Sequence, residues 1–331
     1  MPSQHRYSRL QLEEYFNRVQ LPESARNYDV SALGPDAQLN YLKLLTKHQL
    51  VAIPFENLTL HYSWHRVIST DAQHVFDKIV KQPGRGGYCM ENNTLLHVVL
   101  VSLGFDVYML GARVHGSPDA GYGGVTHCLN VITIGDVRYT VDVGFGGNGP
   151  IRAYTLEAGL VQEHIAPAQV RYRRGQLPGT TKEAGMVWFY EHRQQPDADW
   201  APMYSFAEAE ILPADVQTMN LAPSLSRTSI FQKQIMCVQF TTEGQTNSAG
   251  RLAERTGRSE GPTQPKGEID GVLITIGSNL KWRQNGEKKL ELDFSSERER
   301  LDALETYYGI YLDVKDQAAI EGTPTAIAKR P

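Results

Sequence analysis

His127-Cys128-Leu129-Asn130-Val131-Ile132-Thr133-Ile134-Gly135-Asp136-Val137-Arg138-Tyr139-Thr140-Val141-Asp142 reads as two β-branched runs around a Gly-Asp pair, the pattern of a hairpin with a two-residue turn. If Gly135 and Asp136 form the loop, Ile134 faces Val137, Leu129 faces Asp142 and His127 faces Gly144. His127 and Asp142 then share one face as diagonal neighbours, about 7–8 Å apart at the backbone. That separation suits an imidazole–carboxylate hydrogen bond. A slip of one residue would send the two side chains to opposite faces.

Upstream of this hairpin the pattern is helical. Ser8 to Gln11 has capping-box spacing, Leu12, Tyr15, Phe16 and Val19 follow at helical intervals, and Pro22 ends the run. Helices are expected from Asp36 to about Leu50 and from Asp71 to about Lys81. Pro83-Gly84-Arg85-Gly86-Gly87 then forces an irregular backbone, and Leu96, Val99, Leu100 and Leu103 mark the face of a helix ending at Gly104. Cys89 therefore sits where loop becomes helix.

Downstream of Phe105 the apolar period moves towards two, with further strand-like pieces at Val187–Tyr190, Ile235–Thr241 and Leu273–Ile276. Glu243–Glu268 is rich in Gly, Ser, Thr and Arg and reads as a long surface loop. A last helix starts at Ser296 with a capping box and ends at Gly309, and the tail from about Val314 reads as weakly ordered.

The chain of 331 residues is long enough for two or three domains. Its 33 Lys and Arg against 37 Asp and Glu, with no long run of like charge, give no footprint for nucleic acid. No apolar stretch is long enough to span a bilayer, and the start Met1-Pro2-Ser3-Gln4-His5-Arg6 shows no signal-peptide pattern, so a cytoplasmic protein is expected. Cys89, Cys128 and Cys237 form neither a disulfide framework nor a zinc-type pair, and no metal is expected. The clusters Gly121 to Gly124 and Gly144 to Gly147 lack nucleotide-binding context.

A helix start lowers a thiol pKa through unpaired N–H groups and the positive dipole end, which suits Cys89 to nucleophilic work. Taken alone, a cysteine is more often a small buried apolar residue, and His127 and Asp142 taken alone are equally a surface histidine and a strand-edge acid. His97 lies eight residues along the helix from Cys89, too far for a hydrogen bond. His127 is the better base, with Asp142 fixing its tautomer, as in a nucleophile–base–carboxylate triad.

Ile53-Pro54-Phe55-Glu56-Asn57-Leu58, Arg85-Gly86-Gly87-Tyr88-Cys89, Thr126-His127 and Val141-Asp142-Val143-Gly144-Phe145-Gly146 together resemble the arylamine N-acetyltransferase family. Weaker similarity runs through Trp200–Phe206, Ser224–Phe231 and Leu304–Ile310, to about residue 312. The segments Thr155–Lys182 and Glu243–Glu268 and the tail look more like eukaryotic members, fungal ones among them, than bacterial ones. The resemblance implies an α+β fold with a cysteine-protease-like core. Residues 1–104 would form a helical domain with Cys89, 105–225 a β-barrel-like domain with His127 and Asp142, and 226–331 an α/β domain with a tail.

It further implies ping-pong transfer of an acetyl or related acyl group from acetyl-CoA or another acyl-CoA to an arylamine or hydrazine, a reaction of xenobiotic metabolism. Phe55, Phe145 and Val114 match acceptor-pocket positions, and Gly123, Gly124 and Ser226 match coenzyme A contacts. Arg227 stands where the family usually has Pro, which leaves those contacts open. The resemblance puts Arg113 beside the pocket, where a cation would favour a malonyl donor. Strand alternation would turn it outward instead. A Cys-His-Asp hydrolase of papain or transglutaminase type, and a silent acyl-CoA-binding protein, remain the other readings. Arg85 is expected to hold the loop before Cys89 by bonding Glu56 or Asn57.

Overall fold

The computed structural model describes residues 5–116, 119–181, 185–247, 250–254 and 264–327. Four helices open the chain: α1 (Arg9–Arg18), α2 (Pro35–Ala52), α3 (Ala72–Ile79) and α4 (Cys89–Leu103). Their ends are where the sequence puts them. Ser8 Oγ accepts from Gln11 N while Gln11 Oε1 accepts from Ser8 N, Asp71 caps α3 by accepting from Gln73 N and His74 N, and α4 stops at Gly104 with φ +87°.

Strand β1 (Phe55–Glu56) leaves this bundle and joins a distant sheet. The chain then forms β2 (Asp106–His115), β3 (Tyr122–Ile134), β4 (Val137–Val141), β5 (Tyr154–Thr155), β6 (Val161–Glu163), β7 (Gln169–Gly175), β8 (Val187–Arg193) and β9 (Ala201–Glu210). These eight strands make an antiparallel barrel-like sheet in the order β5-β4-β3-β2-β9-β8-β7-β6. The hairpin register is the expected one: Ile134 pairs with Val137 and Asn130 with Val141 across the turn. Tyr172, Tyr190 and Tyr204 fill the inside, with the rings of Tyr190 and Tyr204 stacked 4.9 Å apart.

Helices α5 (Pro213–Leu225) and α6 (Ile230–Lys233) lead to β10 (Met236–Thr242), β11 (Ile269–Ile276), β12 (Asn279–Gln284) and β13 (Glu287–Asp293). With β1 these form a second antiparallel sheet in the order β1-β10-β11-β12-β13. One continuous core joins the helices, the barrel and the near face of that sheet; a second core lies under its far face around Tyr62, Trp282, Leu304 and Tyr308. β1 therefore stitches the helical layer to the second sheet. The fold is α+β, as expected.

The expected helix from Ser296 to Gly309 is present: α7 (Glu297–Ala303) is capped by Ser296 and continues to Gly309 as a wider turn over Leu304–Tyr308, but it is not the last, because a short helix follows it in the tail. The tail, expected to be weakly ordered, is docked over its described part, up to residue 327: it forms α8 (Val314–Ala318), buries Ile320 to 1% exposure, and bonds Arg66, Arg300 and His61 through Ala319 O, Thr325 O and Thr325 Oγ1. A single buried isoleucine carries no periodicity, so docking of this kind leaves little trace in a local pattern. Within Glu243–Glu268 the described part closes on itself, Lys266 N donating to Thr242 Oγ1, while 248–249 and 255–263 lie outside the described residues.

Candidate active site

Cys89 is the first residue of α4 and is 4% exposed. The loop that delivers it is held by buried charges. Arg85 Nε donates to Glu56 Oε1 at 3.0 Å and Arg85 Nη2 to Thr59 Oγ1 at 2.8 Å, while Lys78 Nζ lies 2.7 Å from Glu91 Oε1 and 3.7 Å from Glu56 Oε1. The expected Glu56 contact is present, with Thr59 rather than Asn57 as the second partner. Burial acts to raise the Glu56 carboxyl, but the Arg85 and Lys78 charges outweigh it and hold the group below its ordinary value. Burial wins at Glu91 and raises it. Arg18 ties the same corner by donating to the carbonyls of Ala52, Ile79 and Arg85. Gly86 is required there, since a Cβ would sit 1.9 Å from Pro54 O.

β3 brings His127 beside Cys89, and the turn after β4 brings Asp142. His127 Nε2 and Asp142 Oδ2 are 2.7 Å apart, with both residues almost fully buried. Nε2 is thus committed to the acid, which leaves Nδ1 for the thiol. Burial opposes a charge on His127, yet the Asp142 carboxylate, its hydrogen bond and the Cys89 sulfur outweigh burial and raise the imidazole well above its ordinary value. Cys89 Sγ also lies 3.7 Å from Thr126 O. Burial together with the neighbouring Cys89 and Asp142 pushes the Cys128 thiol up, so it is a poor nucleophile.

Asn93 escapes the sequence reading. Its Nδ2 donates to Asp142 Oδ1 at 2.9 Å and to Cys128 O at 2.8 Å, and its Oδ1 accepts from Val143 N at 3.0 Å. The available signal is spacing: Asn93 is four residues after Cys89 and so shares its helix face. Gly144 N completes the grip on Asp142 Oδ1, and a Cβ on Gly144 would meet Cys89 Cα at 2.6 Å.

The thiol and His127 open into a cavity of about 390 Å³. Phe55, Val114, Phe145 and Ser226 line it. Phe231, Ile230 and Pro223 add apolar wall that the sequence reading did not assign. Gly123 and Gly124 do not line it; they form the exposed start of β3, ahead of Thr126. Arg113 is not among the lining residues either. Its guanidinium donates to Gly123 O at 3.1 Å, so of the two alternatives for Arg113 the structure shows the one that strand alternation gives, with Val114 inward and Arg113 away from the cavity. His97 bonds Asn130 Oδ1 and belongs to the packing of α4 on β3. Among the described residues no cluster of metal-ligating side chains occurs, and no helix is long and apolar enough to cross a membrane.

A family model described as N-acetyltransferase matches residues 38–269. Among characterised proteins the chain is similar to N-malonyltransferase FDB2 of Fusarium pseudograminearum, with 31% identity covering 93% of this chain and 90% of that one. It is also similar to arylamine N-acetyltransferase 2 of Mus musculus, with 28% identity covering 92% and 96%. The solved structure of the M. smegmatis arylamine N-acetyl transferase matches with a TM-score of 0.72 and 26% identity, covering 95% and 98%. That of the Mycobacterium marinum arylamine N-acetyltransferase in complex with CoA matches with 0.70 and 24%, covering 94% and 98%.

Proposed function

The chain belongs to the arylamine N-acetyltransferase family, and on that premise we propose that it moves an acyl group from acyl-CoA to an amine nitrogen through a thioester on Cys89. The observation that carries this reading is the line Cys89–His127–Asp142 at the floor of an apolar cavity. Cys89 gives its proton to His127 and its sulfur attacks the thioester carbonyl. The new C–S bond forms as the bond to coenzyme A breaks, and His127 returns the proton to the departing thiol. An arylamine or hydrazine nitrogen then attacks acyl-Cys89, the C–N bond replaces the C–S bond, and His127 carries the amine proton back to Cys89.

Phe55, Phe145, Phe231 and Val114 give an aromatic acceptor flat apolar contacts. Ser226, on the cavity wall, and Gly123 with Gly124, in the exposed lead-in to His127, are the coenzyme A contacts in this reading. The likeness to the Fusarium N-malonyltransferase favours malonyl-CoA as a donor beside acetyl-CoA. Arg227, exposed between the lining residues Ser226 and Thr228, then replaces Arg113 as the cation for a malonyl carboxylate.

Brief exposure to malonyl-CoA or acetyl-CoA without amine should add one acyl group, on the Cys89 peptide, and an arylamine should discharge it as an amide. Discharge by water alone at the same rate would mark a hydrolase. An acyl group mapped to Cys128 or Cys237 would overturn the reading.

A further inference from the structure

A second cavity, of about 250 Å³, opens between the barrel and the second sheet, on the far side of the loop that carries Phe145. Its apolar wall includes Val272 and Ile274 of β11, and its polar groups include His164, His192 and Arg283. No Asp or Glu lines it.

Both histidines are buried, His192 to 4% and His164 to 6% exposure, and their rings meet edge to face at 4.9 Å. His164 Nε2 lies 2.8 Å from Gly149 O, so that nitrogen carries the proton. The His192 ring has no hydrogen-bond partner among the described residues, although it is more than nine-tenths buried and faces the cavity. Burial lowers it below its ordinary value, so it stands neutral and able to donate one N–H. Arg283, on β12, pairs with no carboxylate among the described residues. A buried imidazole with an unused donor and an unpaired guanidinium therefore face one small space with apolar walls and no acid.

We propose that this cavity binds a small monocarboxylate with an apolar body, its carboxylate taken by Arg283 and His192 and its body by Val272 and Ile274. Charge decides the class. A guanidinium beside a neutral donor favours a carboxylate over an amine, and the volume admits a single ring or short chain rather than a nucleotide. The site is separate from the Cys89 cavity and does not depend on the acyl-transfer reading. It touches the same loop, however. His164 holds Gly149 O and Tyr190 OH holds Asn148 O at 3.2 Å, so an occupant packs against the segment that places Phe145 over His127.

The probe is 4-fluorobenzoate, followed by fluorine NMR with the full chain after carbamidomethylation of Cys89, which caps the thiol of the other cavity without filling it, so the Arg283 and His192 variants assign the bound signal to this site. Saturable binding is expected, with 4-fluorobenzylamine failing to bind. Arg283→Ala, at an exposed position, should weaken the affinity at least tenfold, Arg283→Lys should restore part of it, and His192→Phe should weaken it severalfold with melting unchanged. No saturable binding to the alkylated protein, equal affinity in Arg283→Ala, or equal binding of the benzylamine would each overturn the proposal.

Discussion

Asn93 grips Asp142 from the side opposite His127, and that double hold fixes the direction in which the imidazole offers its second nitrogen. Asn93→Ala should leave Asp142 Oδ1, Cys128 O and Val143 N short of a buried partner, at about 1–3 kcal/mol of stability in denaturant unfolding. It should also slow single-turnover acylation about tenfold or more; a parental acylation rate would show that Gly144 N alone orients the acid. Asp142→Asn tests the charge. His127 is raised in the folded protein to about 10, so its contribution is complete below its ordinary 6.5 and is lost as pH rises through the folded value. That alkaline loss of stability should shrink in Asp142→Asn. Residue identities at the site were largely legible in the sequence, because hairpin register depends on local turn chemistry and helix starts on local punctuation. Asn93 was not, since an asparagine within a helix gives no local sign of what lies across from it.

Elements are joined here by buried polar groups as much as by apolar faces. Arg85 clamps the loop before α4 to β1 through Glu56, with Lys78 of α3 sharing the same carboxylate. Arg85→Gln should cost about 3 kcal/mol, because breaking a buried pair strands the remaining charge. The same variant tests the structural assignment: if it melts like the parent yet loses turnover, Arg85 acts in the chemistry instead. The tail offers a milder case. Thr325 Oγ1 meets His61 Nδ1 at 3.0 Å, and His61 Nε2 in turn meets the carbonyl of Phe231, a cavity wall residue, at 3.0 Å. Thr325→Val should remove about 1 kcal/mol and raise KM for the amine while leaving the acylation rate near parental. Unchanged KM would show that Asn57, which also donates to Phe231 O, suffices to hold the wall. None of this tail contact was readable in advance, since it depends on residues far apart in sequence meeting after the second sheet has formed.

At the scale of the whole molecule, the helices, barrel and second sheet meet along seams that enclose neutral histidines. His61 lies where the second sheet meets the tail, and His164 lies where the barrel meets that sheet. Burial is the leading cause in both and lowers each to about 4. Between the ordinary 6.5 and that value the unfolded chain takes up the protons that the folded chain refuses, so stability present above 6.5 falls as pH drops through the interval. Each histidine adds at most about 1.4 kcal/mol per pH unit to this slope. Carboxylates such as Glu56, held below its ordinary value, add their own loss at lower pH, so the histidine share must be isolated by difference. Urea unfolding of the parent and of the His61→Gln/His164→Gln double variant, from pH 7 to pH 4, provides that difference. The double variant should start less stable and decline less steeply, so that the two curves converge towards acid. Parallel curves would mean that neither histidine resists protonation in the folded protein, and that the seams admit water far more freely than their burial indicates.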